Sequence, residues 1–351
     1  MNVKRLLELM AEKNASDLYF TTDAPVKIKI EGRIVPVNNV DLEHNMICEA
    51  VASIMSQDQM DKFAREKEMD FAIQEPNMGR YRVNVFRQRG DMAMVIRYIT
   101  TDIPQIDELG LPTVLKDLAL RRRGLVLMVG ATGCGKSTSL AGMINYRNEQ
   151  TANHILTIED PIEFVHENKK SIVNQREVGV DTLSYARALR SAMREAPDVI
   201  LVGEIRDSET MEAALALAGT GHLCLATLHA NNSGETLDRI INLFPMDQHR
   251  QIFLDLSQYL RAIISQRLVR GIDGKRVPAV EVMLNTPHIS EQILKGDVSS
   301  VKEAMDESTA EGMQTFDDSL FDLHHSGRID LEEALSHADS RANLEHRISF
   351  G

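Results

Sequence analysis

The sequence has few cysteines, no long apolar run and a deficit of positive charge, and each shortage removes a class of protein. Only Cys48, Cys134 and Cys224 are spread over 351 residues. No two of them stand at the spacing of a zinc or disulfide framework, so they read as reduced thiols of a cytosolic protein. No stretch approaches the ~20 apolar residues of a spanning helix, so any membrane association is expected to go through a partner. Glu8 and Glu12 break the N-terminal apolar run too early for a secretory signal. A net charge of −13 at pH 7 sets the surface as a whole against nucleic acid and anionic lipid. There is no internal repeat and no low-complexity tract. What is left is an ordinary folded composition, 43% hydrophobic and 26% charged, long enough for two domains.

The strongest signal is Gly-Ala-Thr-Gly-Cys-Gly-Lys-Ser at 130–137, which fits G-x-x-x-x-G-K-[ST]. Residues 125–129 read as a buried strand before it and 137–147 as a helix after it. Glycines let backbone N–H groups turn inward around phosphates, and the helix N-terminus adds partial positive charge. Lys136 can reach β/γ oxygens and Ser137 can hold Mg²⁺. Gly130, Thr132, Gly133, Cys134, Gly135, Lys136, Ser137 and Thr138 are therefore the expected binding set for ATP with Mg²⁺.

Before this loop the chain reads as a small α+β domain over residues 1–100, with strand patterns at 18–20, 26–30, 69–73, 80–86 and 91–99. Two prolines and a glycine at 101–112 mark a linker. Over 113–351, buried-strand patterns at 154–158, 199–202 and 223–228 alternate with helical ones, which predicts a largely parallel α/β sheet with ligands at the strands' carboxyl ends. From 246 the pattern is mostly helical, including 248–266, with a hairpin over 268–282.

Charged residues cluster at the predicted strand ends. Val199-Ile200-Leu201-Val202-Gly203-Glu204 has the form of a Walker B element, with Glu204 placed to hold the Mg²⁺ shell through water. Glu159, Asp160 and Glu163 follow another buried strand, and any of the three can orient or deprotonate an attacking water. Glu163 is the expected one of the three. His222 and His229 bracket the next strand, and either can sense the γ-phosphate.

Phosphoryl transfer also calls for positive charge at the γ-phosphate, often an arginine from a neighbouring subunit. With a hairpin turn at Arg89-Gly90, Arg82 and Arg97 pair directly across two strands. Like charges so placed repel, an arrangement that a polyphosphate ligand would relieve.

Assembled, these motifs resemble the secretion-superfamily ATPases of the type IV pilus retraction group, PilT and PilU, over essentially the whole chain. The residues that carry the resemblance are the phosphate loop, Glu159-Asp160-Pro161-Ile162-Glu163, Val202-Gly203-Glu204-Ile205-Arg206-Asp207, and Thr220-Gly221-His222 through Thr227-Leu228-His229-Ala230-Asn231. The resemblance implies a RecA-like ATPase domain preceded by a PAS-like domain, assembled as a cytoplasmic homo-hexamer. It also implies coupling to an inner-membrane platform protein (PilC), Glu163 as catalytic carboxylate, Glu204 as Walker B acid, and Arg82 and Arg97 reaching the nucleotide. His288 to Lys295 depart from the principal retraction motor's Ala-Ile-Arg-Asn-Leu-type motif. That departure, with Ala338 to Leu344, is more similar to the accessory motor PilU, for which the principal motor PilT is the expected partner. The alternatives are a regulatory ATP-binding partner of that motor and a pilus-assembly or type II secretion ATPase.

Overall fold

The computed structural model describes residues 2–30, 32–75, 78–100 and 102–350. The chain divides into two compact units, Met1–Asp102 with Glu163–Val165, and Ile103–Ile162 with His166–Gly351.

The first unit is an antiparallel sheet of β1 (Asp17–Phe20), β2 (Pro25–Ile30), β3 (Arg33–Asp41), β4 (Glu68–Glu75), β5 (Gly79–Gln88) and β6 (Asp91–Ile99). The strands lie in the order β3-β2-β1-β6-β5-β4. Period-two alternation decides which face of β5 is covered: Tyr81, Val83 and Val85 are buried. They share a core with Leu7 and Met10 of α1 (Val3–Glu12), Ile47 and Val51 of α2 (His44–Ala52), and Phe63 of α3 (Gln57–Glu66). Each large side chain so buried contributes about 1.5–3 kcal/mol. Between β5 and β6, Arg89 and Gly90 both take positive φ (50° and 90°), a two-residue turn that sets the pairing of Arg82 with Arg97. Glu163–Val165 join this unit by backbone pairing: Phe164 bridges Thr100, and the Val165 N–H donates to the Thr100 carbonyl at 3.2 Å.

The second unit is built on β7 (Gly124–Val129), β8 (His154–Glu159), β9 (Ile172–Glu177), β10 (Val199–Val202), β11 (Leu223–Leu228), β12 (Leu260–Arg270) and β13 (Arg276–Leu284). Their order is β13-β12-β7-β11-β10-β8-β9, parallel throughout except that β13 runs against β12. The parallel strands β7, β10 and β11 are buried along their whole length, as their unbroken apolar runs require. One face is covered by α4 (Val114–Ala119) and α5 (Lys136–Gln150). The other carries α6 (Tyr185–Ala192), α7 (Ser208–Gly219), α8 (Ser233–Ile241), α9 (His249–Tyr259), α10 (Pro287–Lys295) and α11 (Ser299–Asp306). A further core joins the outer ends of β12 and β13 to α12 (Phe316–His325), α13 (Leu331–His337) and α14 (Arg341–Phe350).

Several expectations from the sequence change here. The helix expected over 248–266 stops at Tyr259, and Leu260 begins β12. Ala262, Ile263 and Ile264 are fully buried beside β7, where a half-buried helix pattern and an interior strand look alike in sequence. The hairpin predicted at 268–282 therefore extends over Leu260 to Leu284. The edge strand β9 and the helices α8 and α14 had no sequence reading. Ile106, in the stretch read as a linker, is buried with Leu115 and Leu140 in the core of the second unit.

Candidate functional site

Register places the chemistry on one edge of the parallel sheet. Val129 pairs with Leu228, Val202 with Ala226, and Val202 with Ile158, so the phosphate loop, His229, Glu204 and the acidic segment all leave the sheet at its carboxyl edge.

The phosphate loop runs from Gly130, at φ 147°, to Gly135 at φ 92°. A Cβ on Gly130 would lie 2.5 Å from both Cys134 Sγ and the Gln266 carbonyl oxygen, so the loop and β12 approach too closely for any side chain there. Lys136 is buried and folds back, donating from Nζ to the carbonyls of Gly130 (2.7 Å) and Ala131 (3.0 Å). No side chain caps the N-terminus of α5, whose first-turn N–H groups are thus available to an anion. Thr132 and Gly133 are exposed at the loop crown, Cys134 is buried beneath it, and Ser137 and Thr138 are half-buried on the first turn of α5.

Gln266 is a residue that sequence reading missed. Almost wholly buried, it donates from Nε2 to the Cys134 carbonyl at 2.7 Å and accepts from Ser139 Oγ at 2.7 Å. It fastens the loop to β12 from below. A lone glutamine in an apolar strand was the signal, but only once the segment is known to be a strand.

Glu204 sits at the end of β10 with little exposure. One carboxylate oxygen lies 3.0 Å from His229 Nε2, and the other 2.5 Å from Arg206 Nη2. The bond to Glu204 raises the Arg206 pKa above its usual value. Thr227 Oγ1 donates to the Gly203 carbonyl, which fixes the turn that carries Glu204. Glu159 is held by Thr157 Oγ1 and Gln175 Nε2, whereas Asp160 and Glu163 are exposed.

His222 is not part of this edge. It precedes β11 and hydrogen-bonds the Leu217 carbonyl through Nδ1, while its own carbonyl accepts from the Gly124 N–H. That is the opposite edge of the sheet, a strand's length from His229, so the fold does not bring His222 to the phosphate loop of the same chain, where the sequence reading expected it.

In the first unit Arg82 and Arg97 stand opposite each other as expected, but each has its own acid. Arg97 Nε donates to Asp17 Oδ1 at 2.8 Å, and Arg82 Nε lies 3.5 Å from Asp70 Oδ1. The hydrogen bond to Asp17 raises the Arg97 pKa, and Glu163 of the same unit adds a smaller attraction. The repulsion inferred from sequence is therefore already balanced, and the pair does not require a polyphosphate to exist. Arg97 and Glu163 thus lie in the same compact unit of one chain.

The donor set fits a nucleotide and a metal carried by it. Among the described residues no three His, Cys, Asp or Glu side chains form a metal-binding group. Mg²⁺ is commonly held by one or two protein oxygens with the phosphates and water, and Ser137 and Glu204 supply that number.

The description "Type II/IV secretion system protein" matches residues 2–341. The chain is 50% identical to the type IV pilus ATPase PilU of Pseudomonas aeruginosa, across 100% of this chain and 92% of that one. It is 43% identical to the type IV pilus retraction ATPase PilT of the same organism, across 98% and 100%. A crystal structure of the pilus retraction motor PilT with bound ADP superposes with a TM-score of 0.91, at 41% identity and 99% coverage of both chains.

Proposed function

Because the chain belongs to the type II/IV secretion system protein family, we propose that it is a type IV pilus retraction ATPase with a RecA-like motor domain. The observation that carries this reading is the shared carboxyl edge at which the phosphate loop, Glu204 and His229 meet, in a chain similar to PilU and PilT over its full length.

Lys136 leaves the Gly130 and Ala131 carbonyls to neutralise β/γ oxygens, and the free N–H groups of α5 hold the phosphates. Bound Mg²⁺ would draw charge from the phosphates, with Ser137 and Glu204 as its protein oxygens. Glu163 takes the proton of the attacking water, a role open to it as an exposed carboxylate. In this reading His229, joined to Glu204, donates toward the γ-phosphate, and Arg82 and Arg97 supply positive charge as it leaves.

The assembled form in this reading is a cytoplasmic homo-hexamer held at the inner membrane by a platform protein such as PilC. It works beside a principal motor of the PilT kind, as an accessory retraction ATPase. No helix among the described residues is long and apolar enough to cross a membrane. Pilus retraction in a deletion strain, with and without the principal motor, tests the reading. Complementation should fail with Lys136→Ala, and retraction restored by that variant would refute it.

A further inference from the structure

At the edge of the second unit opposite the phosphate loop, the chain gathers four arginines in a cleft of about 710 Å³. Arg121, Arg122 and Arg123 lie together just before β7, and Arg261 joins them from the start of β12. The close approach is built into the backbone. Gly124 sits at φ 116°, and a Cβ there would lie 2.5 Å from Arg261 Cγ and 2.6 Å from its Nε. Only glycine lets the Arg261 side chain lie across the chain beside the three arginines.

A fifth arginine braces the floor. Arg147 of α5 is buried, and its Nη1 donates to the carbonyls of Ala119 and Arg121 at 2.7 Å each. Arg261 is fixed by carbonyls as well, with its Nη1 bonded to Gln258 (2.9 Å) and Leu260 (3.2 Å).

The cluster carries no counter-charge. Elsewhere in this unit Arg176, Arg267 and Arg347 each meet a carboxylate. Among the described residues none pairs with Arg121, Arg122, Arg123 or Arg261. Burial lowers the Arg261 pKa, and repulsion from Arg123 and Arg121 lowers it further. In a chain of net charge −13, four arginines lining one cleft form a local concentration of positive charge that a bound anion would offset.

We propose that this cleft is a binding site for a phosphate-dense anion, distinct from the nucleotide site. Guanidinium forks match phosphate oxygens two bonds at a time. Phosphate concentrates charge within the span of one cleft, whereas carboxylates on a peptide are spaced along its backbone. The floor and walls include Leu118, Leu120 and Leu284, which accommodate an apolar portion of the ligand. Five steps along β7, at ~3.3 Å each, separate the cleft from the phosphate loop by about 17 Å, so an occupant here does not compete with nucleotide.

The test uses the full chain with Lys136→Ala, which weakens phosphate binding at the other site. One arm titrates inorganic tripolyphosphate, and the second measures co-sedimentation with phosphatidylglycerol vesicles against phosphatidylcholine ones. Binding is expected in at least one arm, which identifies a soluble or a lipid source. Adding Arg122→Gln and Arg123→Gln should weaken it at least about 10-fold, the loss expected for one charged hydrogen bond or more. Arg122→Lys with Arg123→Lys should restore part of it. These side chains are exposed, so their loss leaves the core intact. No binding in either arm, binding unchanged by the glutamines, or binding only of a poly-glutamate peptide overturns the proposal.

Discussion

Gln266 Nε2 donates to the Cys134 carbonyl at 2.7 Å, joining the strand beside β7 to the loop that holds phosphate. Its other amide atom accepts from Ser139 on α5, so one side chain fixes both halves of the strand-loop-helix unit. Gln266→Leu removes both bonds and leaves a buried carbonyl unsatisfied, a loss of about 1–3 kcal/mol. Nucleotide affinity should fall about 10-fold, with a smaller change in turnover at saturating ATP. Titration with a fluorescent ADP analogue reads this, and an unchanged Kd would remove Gln266 from the site.

Glu163 is the exposed carboxylate assigned to the attacking water, while Glu159 is already bonded to Thr157 and Gln175. Glu163→Gln should bind ATP normally and hydrolyse it at least ~100-fold more slowly, the range for losing a general base. Single-turnover hydrolysis at saturating ATP is the measurement. A normal rate would transfer the role to Asp160 or Glu159.

Arg97 and Glu163 belong to one compact unit and attract each other there. If both serve the same nucleotide from the same chain, mixing Arg97→Ala chains with Glu163→Gln chains cannot rebuild a complete set. The mixture should show no more ATPase activity than the average of its parts. Recovery in mixed assemblies verified by mass would mean that the two residues serve different sites.

Glu281 is buried beneath the start of α8, where it accepts from the Ser233 N–H (2.8 Å), Ser233 Oγ (2.6 Å) and Ser265 Oγ (2.8 Å). Burial raises its pKa against the pull of those three donors. The folded chain therefore keeps this proton to higher pH than the unfolded chain does. Its stabilising contribution is complete below the unfolded pKa and is lost as pH rises through the folded one. Urea denaturation across that window should show stability falling with pH in the natural chain and a flatter profile in Glu281→Gln. Parallel profiles would show that Glu281 does not titrate between the two states.

What the sequence by itself determined is local. The phosphate loop, the apolar strands ending in Glu204 and His229, and the Arg89-Gly90 turn that pairs Arg82 with Arg97 follow from spacing, backbone preference and period two. Each is settled within about ten residues of chain, where those rules act. The tertiary structure decided what depends on distant pairing. Residues 260–264 became strand because β7 offered a buried neighbour, and that choice brought Gln266 under the loop and Arg261 beside Arg121. His222 and His229 are equivalent in pattern, but strand direction sends them to opposite edges. The acids that balance Arg82 and Arg97 come from β4 and β1, and pairing alone reveals them. Burial and contact over long sequence separations belong to the packed chain, because no local preference encodes which surface a residue will meet.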